Sequence, residues 1–131
     1  MDVLKADTHG RKYKVQSEKY KVQENRVRSE EGDVAVVEVT VLPIGTTDVS
    51  LSRHVAAALK PLEQSGLKYE LGSMGTSIEG PLEEILKVVM QMHETPFQAG
   101  HKRVLTTILI DDRRDRDISI EGKKKSVMEK R

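Results

Sequence analysis

Residues 34–42, VAVVEVTVL, alternate around β-branched side chains, and Pro43 with Gly45 closes the run, so a strand is predicted there. Alternation puts Ala35, Val37, Val39 and Val41 on one face and Val36, Thr40 and Leu42 on the other. Leu51, Val55, Leu59 and Leu62 then recur at helical spacing, behind Asp48 or Ser50 as a cap and ahead of Gly66 as a stop. Pro61 falls in the last turn of that helix and is expected to kink or shorten it. Two short strands, Leu67–Leu71 and Thr76–Glu79, flank a glycine-rich turn. Gly80-Pro81 opens a second helix with proline at its first position and Leu82, Ile85, Leu86, Val89 and Met92 on one side. Gly100 is its expected stop, beyond Pro96. The last strand is residues 103–110, RVLTTILI, with Val104, Ile108 and Ile110 on one face and Leu105 and Leu109 on the other. A charged tail follows.

The order βαββαβ predicts an α+β, ferredoxin-like domain: a four-stranded antiparallel sheet with two helices on one face, plus a C-terminal extension. Two helices cover one face of a sheet. The first and last strands are apolar on both, so association through sheet faces or edges, as a dimer or tetramer, is expected. Residues 1–33 have a different texture. They are polar and mixed in charge, and Lys12–Gln16, KYKVQ, recurs at 19–23. Two copies make no repeat fold. This segment is expected to be a flexible extension with too few apolar side chains to offset its ordering entropy; a short helical or docking arm is the alternative. The domain proper is then 34–131.

A chain of 131 residues has the size of one domain. Its 22 basic side chains nearly cancel 21 acidic ones, so no global field recruits a polyanion or a membrane surface. RNA-recognition domains share this topology but stack bases on strand aromatics. With one phenylalanine and no tryptophan, the chain lacks that platform, and nucleic acid is not an expected partner. The absence of cysteine removes thiol nucleophiles and thiolate metal sites and accords with a reducing compartment. The opening MDVLKADTHGRKYKVQ lacks the apolar stretch of a secretory leader, and no apolar run could span a bilayer, so a cytoplasmic location is expected.

The segment 69–80, YELGSMGTSIEG, raises the question of chemistry most directly. A phosphate loop needs a lysine at its end, and here Gly80 is followed by Pro81. A dinucleotide fingerprint needs a strand-to-helix crossover, whereas these glycines join antiparallel strands. His93-Glu94 begins like a zinc helix, but Phe97 stands where the second histidine is required; His54 and His93 read as packed or surface side chains. Asp111, Asp112, Asp115 and Asp117 interleave with Arg113, Arg114 and Arg116, which favours a self-paired turn over a cation site. No serine has a base and an orienting acid at motif spacing, so no catalytic residue is assigned. What remains is a set of hydroxyls: Thr46, Thr47, Ser50 and Ser52, then Ser73, Thr76 and Ser77. They serve turns and caps, or they line a pocket that orients a small polar ligand, with Met74 as an adaptable apolar wall.

The segments VVEVTVLPIGT at 36–46, SLSRHVAAAL at 50–59, GLKYELGSMGTSIEG at 66–80 and RVLTTILIDDRRD at 103–115 resemble, in order, the small thiamine-binding protein family. The resemblance covers residues 34–131. It implies a ferredoxin-like subunit that assembles through its sheets and binds thiamine or a related pyrimidine such as hydroxymethylpyrimidine, with no required cofactor, no metal and no catalysis. The matching positions are Pro43, Gly45, Thr46, Ser50 and Ser52, then Tyr69, Met74, Gly75, Thr76 and Glu79. Within that set the resemblance implies ligand contact by Thr46, Ser50, Ser52, Tyr69, Met74, Thr76 and Glu79. Glu79 would serve the aminopyrimidine and Tyr69 the cationic thiazolium. Residues 1–33 have no counterpart in compact members, Pro61 and Pro96 interrupt helices that usually run on, and Gly72-Ser73 stands where Thr-Pro is common. A structural or regulatory oligomeric module without a thiamine ligand, or a small dimeric ferredoxin-like enzyme, are the alternatives.

Overall fold

The computed structural model describes residues 2–6, 8–16, 28–29 and 32–131. Strands β1 (Asp2–Ala6) and β2 (Lys12–Gln16) pair with each other as a separate antiparallel hairpin. The first KYKVQ copy is therefore a strand, while the second, at 19–23, lies outside the described residues, as does much of the segment expected to be flexible. Strand β3 (Arg28–Ser29) pairs with the start of β4 (Gly32–Pro43).

The main domain continues through α1 (Ser52–Ser65), β5 (Lys68–Leu71), β6 (Thr76–Pro81), α2 (Leu82–Gln98), β7 (Val104–Asp111) and α3 (Ile120–Glu129). Strand β4 lies between β6 and β7, with β5 outside β6, and every pairing is antiparallel. The order β7-β4-β6-β5 is the ferredoxin-like arrangement that the element order predicts. Val37, Val39 and Val41 of β4 and Ile78 of β6 meet Ala58 and Leu62 of α1 and Ile85, Val89 and Met92 of α2 in one core.

Both helices differ in detail from the expected pattern. Leu51 is the N-cap of α1 and makes no side-chain cap bond, so neither Asp48 nor Ser50 caps it. The Asp48 N–H donates to Thr46 Oγ1 at 3.0 Å, and the Ser50 hydroxyl lies 3.1 Å from that of Ser52. The buried row of α1 is His54, Ala58 and Leu62; of the predicted row Leu51, Val55, Leu59 and Leu62, only Leu62 belongs to it. Pro61 is accommodated inside α1, which runs on to Ser65 and ends at Gly66 in the left-handed region (φ 76°). Pro81 is the N-cap of α2 rather than its first helical residue, and Pro96 is likewise accommodated before the chain turns at Gly100.

The C-terminal extension holds a third helix. Ser119 caps α3 by accepting the Gly122 N–H at 2.8 Å. Glu79 Oε1 accepts the Ile120 N–H at 2.8 Å, and ion pairs join Lys123 to Asp111 and Lys124 to Glu70. Glu70, Glu79 and Asp111 all point away from the core, so α3 lies on the sheet face opposite α1 and α2. It covers only one end of that face. Leu105 and Leu109, at 54% and 62% exposure, leave the other end apolar and open.

Candidate functional site

The site arises where two strands part. β4 and β6 pair from Val34↔Pro81 to Val39↔Thr76, after which β6 turns back toward β5. The Gly72 N–H donates to the Gly75 C=O at 2.8 Å, closing the hairpin around Ser73 and Met74. Thr40 Oγ1 donates to the Met74 C=O at 3.2 Å and ties the tip to β4. Gly75 permits this approach, because a Cβ there would lie 3.0 Å from Thr40 Oγ1 and 3.2 Å from Glu38 Cγ.

Beyond that divergence lies a cavity of about 520 Å³ between the unpaired end of β4, the first turns of α1 and the hairpin. Leu51, Val55 and Leu59, the helical row expected in the core, form one of its walls. α1 carries two adjacent apolar rows; Leu62 is buried in the core, Ala58 and Leu59 border both core and cavity, and Leu51 and Val55 line this space. Ser52, Met74 and Thr76 add two hydroxyls and a thioether, and none of the lining residues is charged. A cavity of this size, apolar with a few polar groups, suits a small organic ligand.

The structure thus brings Ser52, Met74 and Thr76 together at one cavity. Thr46 and Ser50 lie in the loop leading to α1, engaged with Asp48 and Ser52, and are not among the lining residues. Tyr69 stands opposite Ile78 and packs on the core, also outside the lining. Glu79 is on the far face of the sheet, bonded to α3. Glu79 and Tyr69, paired by the resemblance, are therefore on opposite faces of the sheet within one chain. Thr40, Val41 and Leu42 also line the cavity; sequence reasoning assigned them only to a strand, and nothing in strand periodicity marks where a partner strand stops.

A smaller groove of about 310 Å³ runs beneath α3 between Val36, Glu38, Ser77 and Leu109, beside the Lys123–Asp111 pair. The acidic turn pairs internally. Arg113 binds Asp115 and holds its carboxyl down at about 2, while Arg114 bridges Asp112 (2.8 Å) and Asp33 (3.0 Å) and keeps the Asp112 carboxyl below its usual range. His54 is buried in α1 with its ring against that of His101, and His93 Nδ1 is 2.6 Å from Thr106 Oγ1.

Residues 37–128 match the model of a family described as thiamine-binding protein. The chain belongs to that family. It is 47% identical over 94 residues to a UPF0045 protein of Methanothermobacter thermautotrophicus, covering 71% of this chain and 95% of the relative. A UPF0045 protein of Bacillus subtilis is 45% identical over 98 residues, covering 72% and 94%. Among solved structures, a hypothetical protein of Methanocaldococcus jannaschii superposes with a TM-score of 0.68 at 36% identity, covering 73% of this chain and 97% of that one. A candidate thiamine biosynthesis/salvage protein of Thermotoga maritima gives a TM-score of 0.62 at 28% identity, covering 72% and 98%. Membership of a family described by binding, and the ferredoxin-like fold, thus rest on most of the main domain. No described helix is long and apolar enough to cross a membrane.

Proposed function

We propose that this protein binds thiamine or its aminopyrimidine fragment, without catalysis, in the cavity between the open end of β4, α1 and the glycine hairpin. The observation that carries the reading is the uncharged, about 520 Å³ cavity, flanked by hydroxyls and Met74, in a chain of the thiamine-binding protein family. Ser52 and Thr76 supply hydrogen bonds and Met74 an adaptable wall; Thr46 and Ser50 shape the loop that leads into α1. Tyr69 braces β6 beneath the cavity. The working form is a cytoplasmic homo-oligomer assembled through the outer sheet face, where Leu105 and Leu109 are exposed.

Thermal-shift titration with thiamine, its phosphates and hydroxymethylpyrimidine tests the binding. A ligand that binds only the native state raises its stability, by about 2.7 kcal/mol at a hundredfold excess over Kd. A saturable rise with at least one of these compounds is expected, and no shift with any of them overturns the reading. Light scattering tests the assembly, which a monomer would contradict.

A further inference from the structure

We infer that the ligand is read by the main chain of Val41, whose N–H and C=O form a donor–acceptor pair matched to the amino edge of a 4-aminopyrimidine. The inference rests on the cavity being a pyrimidine site and assigns the atoms that make it selective.

The direction of the Val41 main chain follows from the ladder. The Ile44 N–H donates to the Arg103 C=O at 2.9 Å, one step beyond the pair Pro43↔Val104. In an antiparallel ladder, residues that bond a given neighbour alternate along the strand. Leu42 and Thr40 therefore turn their main chains toward β7, and Val41 turns its N–H and C=O toward the opposite edge. On that edge β6 pairs no further than Val39↔Thr76. The hairpin tip closes on itself through Gly72 and Gly75, and the Met74 carbonyl is taken by the Thr40 hydroxyl. Among the described residues no hydrogen bond reaches the Val41 N–H or C=O on this side. Val39, Thr40, Val41 and Leu42 all line the cavity, although their side chains alternate between the two faces of the sheet. The cavity therefore reaches the edge of the strand itself.

That edge fits a small planar ligand better than another strand. Pro43, the next residue on the same edge, has no N–H, so the repeating donors that strand addition needs stop after Val41. The N–H and C=O of one extended residue lie side by side and point the same way. A 4-aminopyrimidine presents the complementary pair: its ring nitrogen accepts from the N–H, and its exocyclic amine donates to the C=O. Replacing the amine by an oxo group reverses both, because the ring nitrogen then carries hydrogen and the substituent only accepts. With no charged side chain in the lining, the neutral pyrimidine is the half of thiamine that sits here, and the cationic thiazolium lies toward the mouth.

Calorimetric titration of the full chain with thiamine, hydroxymethylpyrimidine and oxythiamine, the 4-oxo analogue, tests the assignment. Thiamine and hydroxymethylpyrimidine should bind within about tenfold of each other, and oxythiamine at least about tenfold more weakly, since it leaves buried peptide groups unpaired. Equal affinity for thiamine and oxythiamine overturns the role of Val41 while leaving the cavity as the thiamine site. Failure of all three to bind overturns both readings. An NMR titration then locates the contact. On adding thiamine the Val41 amide should shift downfield and gain protection from hydrogen exchange, whereas the Thr40 and Leu42 amides, already in the β7 ladder, should not. A Val41 amide unchanged at saturating thiamine overturns the inference.

Discussion

The two halves of β4 are built from the same residue types and end in different circumstances. From Val34 to Val39 the strand has β6 along one edge, and from Val36 onward it has β7 along the other. From Thr40 to Pro43 only β7 remains. Val37 is sealed beneath the helices, while Val39 to Leu42 border a cavity. A strand closed on both edges can only hold the fold together. One left open on an edge keeps main-chain groups available for a ligand, and the contrast separates scaffold from site within one element.

The largest test of that contrast is packing. Ile78→Ala, opposite Val37 in the closed half and fully buried, should lower stability by about 2–5 kcal/mol, seen as a lower urea midpoint at unchanged slope. Leu51→Ala, on the cavity wall and 40% exposed, should cost no more than about 1 kcal/mol. Equal costs would make the wall part of the core and erase the distinction.

A smaller effect is expected at Glu79, on the outer side of the closed half. Glu79→Gln keeps an acceptor for the Ile120 N–H but removes the charge at the N-terminus of α3. It should weaken docking of that helix by about 0.3–1 kcal/mol, read as faster hydrogen exchange over residues 120–129, with thiamine affinity unchanged. Lost thiamine affinity with α3 exchange unaltered would return Glu79 to the ligand site, as the family resemblance implies.

The smallest effect concerns acid. The Asp112 and Asp115 carboxyls are lowered by their arginine partners, and Arg114 also reaches Asp33 at the beginning of β4. Because both folded values lie below the ordinary 3.8, the pairing is complete above that pH and is lost as pH falls, for Asp115 through about 2. Both pairs are solvent-exposed, so the signature is local: NMR should show the turn at 112–117 loosening in acid while the cavity end of β4 stays unchanged. Titration of Asp115 at an ordinary carboxylate value would remove the pair.

Alternation and helical spacing made the four strands, two helices and sheet order legible, because each depends on local periodicity that burial then uses directly. Part of the candidate site was legible too: Ser52, Met74 and Thr76 stand out as hydroxyl or adaptable side chains in glycine-flanked segments. Leu51 and Val55 border the cavity and not the core, because a helical row facing a cavity has the same spacing as one facing the core; Leu59 touches both. The α3 helix was missed since its sequence, IEGKKKSVME, has little apolar periodicity and is held instead by Ser119, Glu79 and two ion pairs.

By itself the sequence determined the βαββαβ order, the division of β4 into two apolar faces and the family, all consequences of which side chains alternate and which motifs follow one another. Tertiary structure alone decided that β6 leaves β4 at Val39, that Glu79 faces α3 and not the cavity, and that the Val41 peptide faces open space. Each depends on where distant segments stop pairing, and a main-chain hydrogen bond looks the same in sequence whether its partner is a strand, a helix or a ligand.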